Sequence, residues 1–198
     1  MKFPVMDATL FIQLCSVAIS QNDSIQLQFA VGHFAEYCFI EPTDAVVQEE
    51  TVIYLNDTFR SSRFHEMSGS YYLMLLLEYN WAAFSQEQRD QLLDAIEFSF
   101  NKFSDPMSWF VISEILGEYY CNEQSFKVLK RFAKLPEEGP RSQAPHGLEH
   151  IAKSAIDPEI RSQAIHEIRN LLNDTSQTVK EEASTSIHRL RATNTMMD

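Results

Sequence analysis

DPEIRSQAIHEIRNLLNDTSQTVKEEASTSIHRL, residues 157 to 190, carries two helical periods separated by a break. Asp157 is a residue type that caps a helix N-terminus, and Pro158 suits the first helical position because its missing N–H would have no partner there anyway. Apolar residues then recur at Ile160, Ala164, Ile165, Ile168, Leu171 and Leu172, forming one stripe along one face. Asn173, Asp174, Thr175 and Ser176 interrupt it, and Val179, Ala183, Ile187 and Leu190 begin a second stripe. The stretch predicts two short helices packed as a hairpin.

These residues resemble a HEAT-like (armadillo-type) repeat, whose second helix opens with an acidic turn, a Val or Ile, a basic residue and then an Ala: here Val179, Lys180 and Ala183. The resemblance is most specific over residues 141 to 192, less so over 86 to 135, and least over 1 to 84. It implies an all-α chain, an α-α superhelix of about five stacked antiparallel helix pairs in one domain, 1 to 198. Gln26 and Ser108 stand where the family has its basic residue, so the hydrogen-bond ladder made by that residue between repeats is not expected at those positions.

Two internal echoes point the same way. Ala35-Glu36-Tyr37, Leu77-Glu78-Tyr79 and Gly117-Glu118-Tyr119 recur at intervals of 42 and 40 residues, the length of one HEAT unit. Arg141-Ser142-Gln143-Ala144 returns as Arg161-Ser162-Gln163-Ala164, and Lys180-Glu181-Glu182-Ala183 follows 19 residues later. That second echo advances one helix at a time, which leaves the pairing of the last helices open and makes the C-terminal repeats short.

Caps and breakers lay out the remaining helices. Asp7 to Ser20 is followed by a helix capped by Asp23 that carries Leu27, Ala30, Val31, Phe34 and Cys38. A long segment from Asp44 to Phe64 precedes Tyr71 to Phe84, and Ser85 with Gln88 has the spacing of a capping box for Gln86 to Phe103. Asp105 and Pro106 open the next helix. Asn122 to Leu135 follows, then a loop from Pro136 to Pro140 and a helix starting near Pro145. No window alternates as a strand with hairpin turn chemistry, and five Gly and seven Pro are few for a β-rich chain.

With 198 residues and 44% hydrophobic content, the chain is long enough to bury a sizeable core. Three separated cysteines, Cys15, Cys38 and Cys121, suggest neither a disulfide framework nor a zinc knuckle, and a reducing cytoplasm suits them. The apolar run from Leu10 to Ile19 reads as an amphipathic helix rather than a signal segment, since Asp7 and Gln13 interrupt it and no cleavage pattern follows. No run of about 20 apolar residues proposes a membrane span. Formal charge is −12, unevenly placed: residues 1 to 124 carry 5 Lys or Arg against 18 Asp or Glu, residues 125 to 198 carry 11 against 10. The acidic repeats repel phosphate backbones and attract basic proteins, whereas the shorter C-terminal repeats are near neutral.

His146-Gly147-Leu148-Glu149-His150 matches HxxEH, the inverted zinc-protease motif in which two His bind zinc and Glu acts as general base. Leu148, Ile151, Ala152 and Ala155 form the core face of that helix, which sets His146 and His150 together on another, solvated face with no third carboxylate ligand in view. The reading is therefore a His pair without a resident metal. No glycine-rich phosphate loop or GxSxG elbow is present, so no catalytic residue and no cofactor is assigned. HEAT-like DNA glycosylases line a concave face with basic and aromatic residues. Here carboxylates stand in place of the bases, which argues against nucleic acid.

The Glu-Tyr recurrences supply the candidate working surface. Glu36 lies about 160° around its helix from Phe34 and so faces solvent. Second helices of stacked repeats line one face, so the resemblance implies a ladder of Glu36, Glu78 and Glu118, with Tyr79, Trp81, Trp109 and Tyr119 as aromatic anchors for a protein partner. The bland alternative makes each Tyr a packing residue between repeats and each Glu merely solvated. A small, acidic, single-module chain of this kind resembles the immunity proteins of bacterial toxin systems, which cover a cationic toxin such as a nuclease. The other readings are a scaffold or adaptor of a larger assembly and, further off, a HEAT-like lyase or glycosylase.

Overall fold

The computed structural model describes residues 8–38 and 49–193, apart from the side chains of residues 35–38, 79 and 82. Among the described residues every regular element is helical. The chain divides into two compact units, Met1–Ser108 and Trp109–Asp198.

The first unit opens with α1 (Ala8–Gln21) and α2 (Ser24–Cys38), joined by a turn in which Asn22 takes a left-handed φ of 55°. Asp23 caps α2 by accepting from the Gln26 N–H at 3.0 Å. The two helices pack on each other and bury Phe11, Cys15, Leu27, Ala30 and Phe34, with the Phe11 and Phe34 rings stacked at 4.1 Å. Next come α3 (Glu49–Phe59), α4 (Ser62–His65), α5 (Tyr71–Tyr79), a 3-10 turn Trp81–Ala83, and α6 (Gln86–Ser99) with a 3-10 turn Phe100–Lys102. α3 packs against α6, and α5 against α2. Ser85 and Gln88 form the anticipated capping box, with bonds of 3.2 and 2.9 Å.

The segment expected to run from Asp44 to Phe64 is not one helix. Its residues 44–48 lie outside the described residues. The remainder is broken after Phe59, where Arg60 and Ser61 donate back to Asp57 and Thr58 and Ser61 turns extended with ψ 127°. Tyr71 to Phe84 also divides, because Asn80 leaves helical geometry and its side chain donates to the Leu76 carbonyl at 3.0 Å.

α7 (Pro106–Glu114) starts as the Asp105-Pro106 pair indicates: Asp105 accepts from the Met107 N–H at 3.0 Å and from Gly69 N–H at 2.6 Å. The second unit holds the end of α7, a π-helical segment Ile115–Tyr120, α8 (Glu123–Phe132), α9 (Glu138–Ser154), α10 (Pro158–Leu171) and α11 (Gln177–Ala192). α9 is its central element, touched by α8, α10, α11 and the π segment. Burial on several sides explains why α9 continues through residues expected to form a loop and a fresh start. Pro140 falls in the first turn, where a missing N–H costs little, and Pro145 sits inside the helix. Tertiary burial of Ala144, Leu148, Ile151 and Ala152 outweighs the proline penalty of about 3 kcal/mol.

α10 and α11 form the hairpin read from residues 157 to 190. Asp157 caps α10 through the Glu159 N–H at 2.8 Å, with Pro158 as first residue, and Ser176 caps α11 through Val179 N–H at 3.3 Å. Ala164, Ile168 and Leu171, then Val179, Ala183, Ile187 and Leu190, are buried; Leu172 remains on the surface.

Candidate functional site

HxxEH places His146 and His150 one turn apart near the middle of α9, and the structure supplies what the sequence did not show, a carboxylate beside them. Glu114, at the end of α7, joins the pair: each of the three residues offers one ligand atom, and these atoms lie within 4.8 Å of one another. Glu118, one turn further on the π segment, brings its Oε2 to 3.6 Å from His150 Nδ1.

Two glycines allow this approach. A Cβ at Gly117 would run into the Gly147 carbonyl oxygen and come within 2.8 Å of His150 Cβ; one at Gly147 would lie 2.7 Å from the Ser113 carbonyl oxygen and 2.6 Å from Leu129 Cδ2. The π segment and α9 therefore meet backbone to backbone, with Glu114 and Glu118 opposite His146 and His150. Gly147 weakens a helix in isolation, yet here its lack of a side chain is what the contact requires. The π conformation, closed by the Leu116 carbonyl accepting from the Cys121 N–H at 3.2 Å, ends at Cys121 with a left-handed φ of 24°. Segments of this kind often accompany functional sites.

His146 is not on a solvated face. Its ring stacks on Phe110 at 4.6 Å and meets the His150 ring edge-on at 4.8 Å, and its Nε2 is buried without a hydrogen-bond partner. Burial first, and then the neighbouring His150, pushes its pKa down to about 4, so the imidazole is neutral at pH 7 and keeps a lone pair. Burial raises the Glu114 carboxyl above its ordinary value, with His150 opposing and Glu118 adding to the rise. Glu149, the general base of the protease motif, is engaged elsewhere: Lys153 binds its Oε1, and Arg189 of α11 stands 3.6 Å from its Oε2. A carboxylate held by two cations is poorly suited to activate water, so the motif's catalytic reading finds no support in this geometry.

The residues named for a partner surface fall into different environments. Glu36 and Tyr79 lie at the ends of α2 and α5, but their side chains are outside the described residues. Glu78 and Trp81 are buried, at 8% and 6% exposure, so neither offers contact area in this state. Glu78 lies within α5, where its recurrence with Glu36 and Glu118 does not specify what packs over it, and Trp81 opens the 3-10 turn beyond the end of α5. Trp109 is half-buried beside Gly139, where a Cβ would strike its ring. Glu118 and Tyr119 are exposed.

Two of the exposed apolar side chains share one face of α2. Ile25 and Phe29, one turn apart, are 78% and 62% exposed, and with Gln28, Gly32 and His33 they line an open groove of about 440 Å³. The Phe29 ring stands edge-on to His33 at 5.3 Å. The opposite face of α2 buries Leu27, Ala30, Val31 and Phe34, so core formation does not account for Ile25 and Phe29. The run Ile25, Phe29, Gly32 at helical spacing was available in the sequence as a second apolar stripe.

No protein-family model matches the chain, and no curated protein matches it. Among solved structures, a crystal structure of an engineered protein is similar over 95% of this chain and 87% of its own, with 14% identity and a TM-score of 0.47. Among the described residues no helix is long and apolar enough to cross a membrane.

Proposed function

We propose that this chain is a non-catalytic, cytoplasmic protein-binding module built of HEAT-like stacked helix pairs. Its acidic unit takes up a basic protein, most concretely as an immunity protein that neutralises a cationic bacterial toxin domain such as a nuclease. One coincidence carries the reading: the acidic charge and the apolar groove on α2 fall in the same unit. Residues 1 to 108 hold 5 Lys or Arg against 15 Asp or Glu, a net −10, and α2 of that unit exposes Ile25 and Phe29. A nuclease surface is basic because its substrate is a polyanion, and an inhibitor covering it is acidic for the same reason. The charge accelerates encounter, and an apolar side chain seated against Phe29 prolongs the complex.

The test is rescue of growth. The chain is co-expressed with a basic toxin domain encoded beside its gene, and the Ile25→Asp/Phe29→Asp double variant is run in parallel. Rescue by the wild type, lost in a folded double variant and accompanied by association that slows as salt rises, supports the reading. Stable co-purification with a non-toxic assembly and no rescue would establish the scaffold alternative instead.

A further inference from the structure

We propose that Glu114, His146 and His150 form a binding site for one divalent transition-metal ion of the zinc class, which clamps the end of α7 to α9.

Two imidazoles and one carboxylate are a donor set that zinc takes readily, whereas magnesium and calcium favour all-oxygen shells. The ligand atoms now lie within 4.8 Å of one another. Tetrahedral bonds of about 2.0–2.1 Å require separations of roughly 3.4 Å, so side-chain rotations closing the set by about 1.5 Å suffice. The backbones are already fixed by the Gly117–Gly147 contact, which cannot open to a wider spacing without losing helix packing. His146 Nε2 is a buried nitrogen with no hydrogen-bond partner, a state that costs free energy unless something occupies it. Glu118 lies beside His150 Nδ1, where a carboxylate commonly orients a metal-ligating imidazole. Three protein ligands leave a fourth position for water.

The site does not depend on the partner-binding reading, since all its residues belong to the second unit and the α2 groove to the first. It is also distinct from a protease centre, because Glu149 is held by Lys153 and Arg189.

The experiment uses the untagged full chain, stripped with EDTA and titrated with zinc chloride against a chromogenic chelator. Cobalt(II) absorption reports coordination geometry. The expected result is one zinc per chain, a visible cobalt spectrum of tetrahedral type, a raised unfolding temperature with zinc, and no response to magnesium. Glu114→Gln and His150→Gln should each weaken zinc binding by at least tenfold, while His188→Gln, at an exposed position on α11, should leave it unchanged. Glu114→Gln is isosteric, so it carries the test even where His146→Gln does not fold. No saturable uptake, uptake undiminished by Glu114→Gln, or equal sensitivity to His188→Gln would each overturn the proposal.

Discussion

Arg141 grips Asp174 with two guanidinium nitrogens, Nε to Oδ2 at 3.1 Å and Nη2 to Oδ1 at 3.2 Å, across 33 residues of sequence. Its Nη1 also donates to the carbonyl oxygens of Leu135 and Pro136, while Asp174 accepts from the Ser176 N–H at 2.8 Å. One side chain on α9 thus ties the exit of α8 to the turn between α10 and α11. Both partners are largely buried, so removing one strands a desolvated charge.

Asp174→Ala is therefore expected to destabilise the second unit by about 3 kcal/mol, measured by urea unfolding. Burial raises the Asp174 pKa, but the Ser176 N–H and Arg141 outweigh it and hold the carboxyl below its ordinary 3.8. The stabilisation is complete above that value and disappears as pH falls through the lower folded pKa. A double-mutant cycle with Arg141→Met showing no coupling would remove this pair from the account.

At Gly117, alanine would gain up to about 1 kcal/mol of helix propensity yet collide with the backbone of Gly147. Backbone does not yield as a flexible side chain does, so Gly117→Ala should lower stability by about 1–3 kcal/mol. Gly32→Ala, where nothing lies within 4 Å of the new carbon, should be neutral or raise it. Thermal melts of the two variants in opposite directions are the expected result; parallel gains would show that the π segment and α9 can separate at little cost.

His65 sets a pH dependence in the first unit. It is buried, its Nε2–H donates to the Phe59 carbonyl at 2.6 Å, and its ring meets Phe103 edge-on at 5.0 Å. Burial lowers its pKa below 6.5, the Phe59 bond pulls the other way, Lys102 lowers it further and Glu66 opposes. The unfolded chain takes up the proton first, so the stabilisation is present above pH 6.5 and is lost as pH falls from there through the folded value. His146 titrates with the same sign, so the informative quantity is the difference in slope between the wild type and His65→Gln. Identical slopes between pH 7 and 5 would mean that His65 is not held neutral.

Trp81 is buried, so its replacement is expected to act on stability. Its carbonyl accepts from Arg89 Nε at 3.0 Å, and the guanidinium lies 5.5 Å from the ring centroid. Trp81→Ala should cost about 3–5 kcal/mol of folding free energy. Circular dichroism melts decide the matter: an unchanged midpoint would return Trp81 to the surface.

Where a structural choice rests on groups within about four residues, the sequence determined it. Asp23, Ser85 with Gln88, Asp105-Pro106 and Asp157-Pro158 place helix starts because each cap bonds an N–H two or three residues on. The stripes of residues 157 to 190 are legible for the same reason, since 3.6-residue periodicity is a local property. The tertiary structure alone decided the rest. α9 passes through Pro145 because four neighbouring elements bury it, and no local pattern encodes that burial. Glu114 joins His146 across 32 residues because two glycines let helical backbones touch, and the motif HxxEH carries no trace of its distant third member. The recurring Glu-Tyr pattern failed as a guide to exposure for the same cause: Glu78 and Glu118 share a sequence context, but one is buried and the other faces solvent beside His150. Exposure is set by what packs over a residue, which helical spacing does not specify.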